Sequence, residues 1–217
     1  MPHSPRPTKK EVVTAFRTRE IIAAARKLME ERGLEAVTME EIAGAAGVAK
    51  GTIYLYFPSK DELIQALITQ VGEGLLQDIE AVSKGSGSPA EKIQRVATLL
   101  LQCLTKARAL YPIYARDSHR ARQGPSQGYL RQLQEREEQF FNLVTPVFAQ
   151  GIKSGQFISA NPRLLTFMLR GLVRSIGYYQ MSEGQEEVIK EALPVLLTLL
   201  SSGLTPKSPM AAEVTHP

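Results

Sequence analysis

At Thr38, Ser59 and Ser88 this chain writes the same four-residue signal for starting a helix. Thr38-Met39-Glu40-Glu41, Ser59-Lys60-Asp61-Glu62 and Ser88-Pro89-Ala90-Glu91 each set a hydroxyl three residues ahead of a glutamate. The hydroxyl accepts a backbone N–H of the first turn, and the carboxylate reaches back to the N–H of the capping residue. In the third signal proline holds the first helical position, where its missing N–H costs nothing. Asn161-Pro162 repeats that cap-plus-proline pattern. Gly33, Gly85 and Gly155 follow periodic segments, as glycines that close helices in a left-handed cap do. Apolar residues between these marks recur at helical spacing, and runs of alternating β-branched residues are absent. The expected fold class is therefore all-α.

The periods predict about nine helices, over roughly 18–32, 39–45, 49–55, 59–83, 89–107, 109–117, 128–154, 162–181 and 185–203. Ile21, Ile22, Ala25, Leu28 and Met29 share one face of the first. Pro146 and Pro194 fall inside two of these segments and are expected to kink or split them. SHRARQGPSQG, ahead of the seventh, reads as a polar loop. Residues 1–17, rich in Pro, Lys and Arg, read as a flexible basic arm with helix at the earliest from Glu11, and 207–217 as a disordered tail.

Composition removes several classes of function. With 43% hydrophobic residues in 217, a buried core is within reach. No apolar run approaches the roughly 18 residues that cross a bilayer. MPHSPRPTKK lacks the apolar stretch of a secretory signal, so a soluble, cytoplasmic protein is expected. The single cysteine, Cys103, sits in LLLQCLTKA and reads as a buried, inert thiol. His3, His119 and His216 are far apart, and no metal or cofactor is expected. There is no glycine-rich phosphate loop and no nucleophile elbow, so the chain does not read as an enzyme. The net charge is +4, and residues 1–60 hold 10 Lys and Arg against 7 Asp and Glu, whereas 61–217 hold 16 against 15. That excess suits an anionic partner such as DNA.

The informative stretch is TMEEIAGAAGVAKGTIYLYFPSK, Thr38–Lys60. Two short helices flank Ala46-Gly47. Gly47 supplies the positive φ of a tight turn, Ala43 and Ala46 permit close packing, and Ile42, Val48 and Ile53 have the spacing of a small shared core. The other face of the second helix then carries Lys50, Gly51, Thr52 and Tyr54. A helix fits the major groove of DNA and meets base edges with its N-terminal residues. Tyr54, Tyr56 and Lys60 are within reach of phosphates, and Thr38 can offer a hydroxyl and backbone N–H groups to another. Phe57 reads as core. Arg6, Lys9, Lys10 and Arg17 of the arm are further candidates for phosphate or minor-groove contact.

Residues from about Thr18 to Leu67 resemble the DNA-binding domain of TetR-type regulators, through AARKLMEERG, TMEEIAGAAGV, KGTIYLYF and SKDELI. The resemblance implies a homodimer, a palindromic double-stranded operator, and a C-terminal domain that binds a small organic effector. It divides the chain into the arm 1–17, a helix-turn-helix domain 18–62, a ligand-binding and dimerisation domain 63–206 and the tail 207–217. The family's DNA-contacting roles fall on Thr38, Lys50, Gly51, Thr52, Tyr54, Tyr56 and Lys60. The function expected is a ligand-responsive repressor. The alternative is an activator or architectural DNA-binding protein without ligand response.

Two further sets of residues follow from this layout. Tyr111, Tyr114, Phe140, Phe141 and Phe167, with Arg116, His119 and Arg170 as polar partners, are candidates to line an effector pocket. Leu172, Val173, Ile176, Val188, Ile189, Leu193, Leu196 and Leu200 recur at helical spacing and are candidates for a dimer interface built as a four-helix bundle.

Overall fold

A computed structural model describes residues 8–124, 126–183 and 188–205, the side chain of Lys10 excepted. Arg6 and the expected tail 207–217 lie outside the described residues. Among those described there are nine α-helices, one short 3-10 turn and no strand. In order they are α1 (Lys9–Arg32), α2 (Met39–Ala45), α3 (Lys50–Tyr56), α4 (Lys60–Lys84), α5 (Pro89–Lys106), α6 (Tyr111–Ala121, preceded by the 3-10 turn Arg108–Leu110), α7 (Gly128–Lys153), α8 (Pro162–Glu183) and α9 (Val188–Leu204). The all-α class expected from the capping signals is the one observed.

The helix starts follow the sequence chemistry. Thr38 and Ser88 form complete capping boxes with Glu41 and Glu91, and Ser59 Oγ accepts the Glu62 N–H at 3.2 Å. A fourth box overturns one expectation. Thr8 accepts the Glu11 N–H at 3.3 Å and donates its own backbone N–H to Glu11 Oε2 at 2.7 Å. It starts α1 at Lys9, so residues 9–17 are helix and not a flexible arm. Gly33 and Gly155 take positive φ, of 83° and 72°, whereas Gly85 does not, and Gly87 makes the left-handed turn in its place. Neither Pro146 nor Pro194 splits its helix. Each proline removes one backbone bond, and the packing of both α7 and α9 carries the loss.

Cα packing divides the chain into two compact units. Among the described residues, one runs to Val71 and includes Ala109–Arg116; the other takes Gly72–Arg108 and those from Asp117 on. The helix α4 is continuous across that division. In the first unit α1 packs on α2 and α2 on α3. Ile21, Ala25 and Met29 of α1, Ile42 and Ala43 of α2, Ile53 of α3 and Leu63 and Leu67 of α4 are all buried, with Phe57 beside them as expected. Each large aliphatic side chain removed from water contributes about 1.5–3 kcal/mol. An ion pair of 2.8 Å between Arg32 and Glu41 ties the end of α1 to α2.

In the second unit α7 packs on α8, and α5 lies against α7, α8 and α9. Val96, Leu100 and Leu101 of α5, Val144 and Phe148 of α7, Leu169 and Val173 of α8 and Leu196 of α9 fill its core. Lys92 is buried, and its ammonium donates to the Ser83 carbonyl at 3.1 Å near the end of α4, where a helix favours a cation. Cys103 is half-buried and not buried outright as expected, and desolvation still pushes its thiol up from its ordinary pKa against the opposing fields of Arg170 and Lys106.

Candidate nucleic-acid interface

The placement of α3 follows from one turn and two isoleucines. Gly47 adopts φ 67°, and the turn closes with Val48 N–H on the Ala43 carbonyl at 2.9 Å. Ile42 and Ile53 are each 0% exposed and hold α2 and α3 together. With Ile53 inward, helical geometry puts Gly51 and Leu55 on the opposite side and Tyr54 beside them, while Lys50, in the first turn, is exposed at the edge of that face. Tyr54 is 41% exposed and Leu55 83%. Thr52 and Tyr56 flank this face and are half-buried.

Gly51 is not required by anything inside the chain. A Cβ added there meets no atom within 4 Å. Glycine within a helix costs about 0.5–1 kcal/mol relative to alanine. Its presence therefore asks for a reason outside the chain, and the close approach of another molecule to the helix backbone is one.

The cations of this region are held by acceptors that a phosphate can replace. Lys50 Nζ lies 2.5 Å from Glu40 Oε1. The contact lowers the Glu40 carboxyl below its ordinary range and raises the Lys50 ammonium above its own. Both partners are solvent-exposed, so the pair opens at little cost. Lys60 Nζ is 3.5 Å from the Glu35 carbonyl. Thr38 is occupied differently: its hydroxyl and its backbone N–H both donate to Glu41 Oε2, at 2.9 and 2.8 Å. Its first role is to start α2. Of the seven candidates, then, Lys50, Gly51 and Tyr54 are brought together outward, Thr52 and Tyr56 border them, and Thr38 and Lys60 sit at the two neighbouring helix starts. Leu55 was missed. Its spacing of four from Gly51 places it on the outward face, and an apolar side chain there has no core to enter.

The second unit holds a cavity of about 340 Å³ among α6, α7 and α8. Ala121 and Arg122, Leu133, Glu137, Glu138 and Phe141, and Arg163 and Phe167 line it. Of the eight residues expected at a pocket, Phe141 and Phe167 line this one. Their rings lie 6.3 Å apart. Phe140, His119 and Arg170 belong to the same unit without lining the cavity, and Tyr111, Tyr114 and Arg116 belong to the other unit. Arg170 acts one layer back, with its Nε 3.5 Å from Glu137 and its guanidinium 5.6 Å from the Phe140 ring centre. The charged lining was legible only in part. Arg163, Arg170 and Arg174 share one side of α8 at spacings of seven and four, opposite the glutamates of EREE in α7.

The interface candidates divide by burial. Val173, Val188, Ile189, Leu196 and Leu200 are buried within the chain, Ile176 and Leu193 are half-buried, and Leu172 alone of the eight is exposed. They repeat at helical spacing because they face the chain's own core. The exposed apolar stripe lies on the other side of α8, through Leu164, Phe167, Met168, Leu172 and Tyr179, with Val195 and Leu199 exposed on α9.

Among the described residues no helix is long and apolar enough to cross a membrane, and no group of three or more His, Cys, Asp or Glu is placed to hold a metal ion. A short helix joined through a glycine turn to a second helix, whose outer face is polar at its N-terminal end, defines a helix-turn-helix DNA-binding regulator. Residues 21–67 match the family described as bacterial regulatory proteins, tetR family. Over those residues the chain is similar to TetR-type transcriptional regulators. It is 27% identical over 138 residues to the HTH-type transcriptional repressor KstR2 of Mycobacterium tuberculosis, covering 64% of this chain and 68% of that one. The crystal structure of the transcriptional regulator FadR from Bacillus subtilis in complex with stearoyl-CoA is 26% identical, with a TM-score of 0.63 over 85% of this chain and 98% of that one. A regulator from Saccharomonospora viridis in complex with choline shares the fold, with a TM-score of 0.72 at 18% identity over 89% of this chain and 100% of that one.

Proposed function

We propose that this protein is a dimeric transcriptional repressor that leaves a palindromic operator when a small organic effector binds. The observation that carries the DNA half is the exposed quartet of Lys50, Gly51, Tyr54 and Leu55 on a helix anchored by a fully buried Ile53. In a major groove Lys50 exchanges Glu40 for a phosphate or a base edge. Gly51 lets the backbone come close, Thr52 reaches base edges, and Tyr54 and Tyr56 bond phosphates. Leu55 suits the methyl group of a thymine. Lys60 and Thr38 position the domain from the neighbouring helix starts.

The exposed stripe on α8 and α9 supports a two-fold dimer, since seven large apolar side chains in contact with water are better covered by their own copies. Two copies of α3 about 34–36 Å apart meet successive major grooves. The cavity favours a ligand response over the architectural reading. The repressor name of the relative from Mycobacterium tuberculosis and the stearoyl-CoA bound by the Bacillus subtilis regulator point the same way. An effector acts by binding the DNA-incompetent state more tightly, and α4, continuous between the units, is the covalent path for the change.

Duplex fragments selected by the full-length protein test this reading. Footprinting and sedimentation are expected to give a site of two-fold symmetry with half-sites one helical turn apart and at least two copies of the protein per duplex. One copy on an asymmetric site would overturn the dimeric repressor.

A further inference from the structure

We infer that the cavity among α6, α7 and α8 is built for an organic anion with a compact apolar body, its acidic head seated at Arg122 and Arg163. This deepens the effector reading above and rests on it. The apolar part is plain: Leu133, Phe141 and Phe167 offer a lining for a hydrocarbon or ring. The sign of the charge follows from how the acids are held.

Two carboxylates line the cavity, and both are already engaged by guanidinium groups. Glu138 is forked by Arg163, at 2.8 and 3.3 Å. Glu137 faces three arginines, with Arg174 at 3.3 Å, Arg170 at 3.5 Å and Arg122 at 4.0 Å. Asp117 is buried nearby, with Arg120 at 3.9 Å. The lining itself is balanced, Arg122 and Arg163 against Glu137 and Glu138, and Arg170 and Arg174 behind Glu137 add the positive charge that favours an anion.

The position of the head follows from Arg122. Its Nε donates to the Ser118 carbonyl at 3.2 Å, which fixes the side chain. Its Nη1 stands 4.0 Å from Glu137, beyond hydrogen-bond length. A ligand carboxylate at the mouth can take up that guanidinium and a share of Arg163. Arg163 already lies over the Phe141 ring, 4.8 Å from its centre. That ring face therefore holds a cation from within the chain, which argues against the aromatic pair as a cage for a cationic ligand.

Calorimetric titration of the full-length protein tests the assignment with three probes of one chain length: octanoate, octanol and octyltrimethylammonium. Octanoate is expected to bind at least about tenfold more tightly than either comparator, the size of one charge-assisted contact. Arg122→Gln is expected to remove that preference at an unchanged melting temperature, and Arg122→Lys to keep most of it. Glu137→Gln takes away a competing anion and is expected to tighten octanoate binding. Equal or tighter binding of octanol or the ammonium, no binding of octanoate, or weaker octanoate binding in a folded Glu137→Gln protein would each overturn the proposal. Octanoate that binds with this selectivity but leaves the protein's affinity for its selected DNA unchanged would uphold the anion site and overturn the effector switch.

Discussion

At the scale of single residues, three positions carry opposite lessons about glycine and charge. Gly51 stands in open space, so Gly51→Ala is expected to stabilise the protein by about 0.5–1 kcal/mol. The same methyl would stand between α3 and a groove. We expect DNA affinity to fall by about tenfold or more, and fluorescence anisotropy beside thermal melting would separate the two effects. Gly151 is the reverse case. A Cβ there would lie 2.1 Å from Phe157 Cδ2, in a ring whose centre is 5.6 Å from that of Phe148. Gly151→Ala is expected to cost about 1–3 kcal/mol in denaturant unfolding. The third position is Glu41. Hydrogen bonds from the Thr38 backbone first, then from Arg32 and the Thr38 hydroxyl, hold its carboxyl down from 4.5 to about 2. A folded-state value below the unfolded one gives stability that is present above pH 4.5 and is lost as pH falls from there toward 2. Melting temperature followed through that range should drop less steeply for Glu41→Gln than for the parent; parallel curves would show that the cap and the Arg32 pair contribute nothing.

At the scale of elements, helix starts were the most legible feature of the chain. A hydroxyl three residues before a glutamate is a local signal, and the boxes at Thr38 and Ser88 formed as written. Thr8 and Glu11 carry the same spelling, but the surrounding Pro, Lys and Arg masked it, and α1 is longer at its N-terminus than its apolar period suggested. Tertiary packing decided what local rules could not. Pro146 and Pro194 stay inside unbroken helices, and the five leucines, valines and isoleucine assigned to an interface turn inward. Periodicity locates an apolar face; it does not say whether that face meets the same chain or another. The helix α8 has two such faces, one buried through Val173 and one exposed through Leu172. The outer one yields a sharp test. Met168→Glu with Leu172→Arg should leave far-ultraviolet circular dichroism intact and yield monomers in sedimentation. A dimer that survives the double change would move the interface elsewhere.

At the scale of the whole molecule, the exposed face of α3 was legible in the sequence as a neighbourhood and less so residue by residue. The turn at Gly47 and the burial of Ile53 fix the outward face of α3, so Lys50, Gly51 and Tyr54 could be named from the sequence. The cavity could not, because its charged lining comes from Arg122, Glu137, Glu138 and Arg163, which meet only when three helices pack. Phosphate contacts release counterions, so affinity for DNA should fall steeply with salt, and Lys50→Ala should reduce the slope of log affinity against log salt by about 1. The central claim is that α3 is the surface that reads DNA. Affinity for the best selected duplex, compared between the parent and a folded variant carrying Lys50→Ala, Gly51→Ala, Thr52→Ala and Tyr54→Ala, measures it directly. A loss of at least about a hundredfold is predicted; an unchanged affinity would contradict the account.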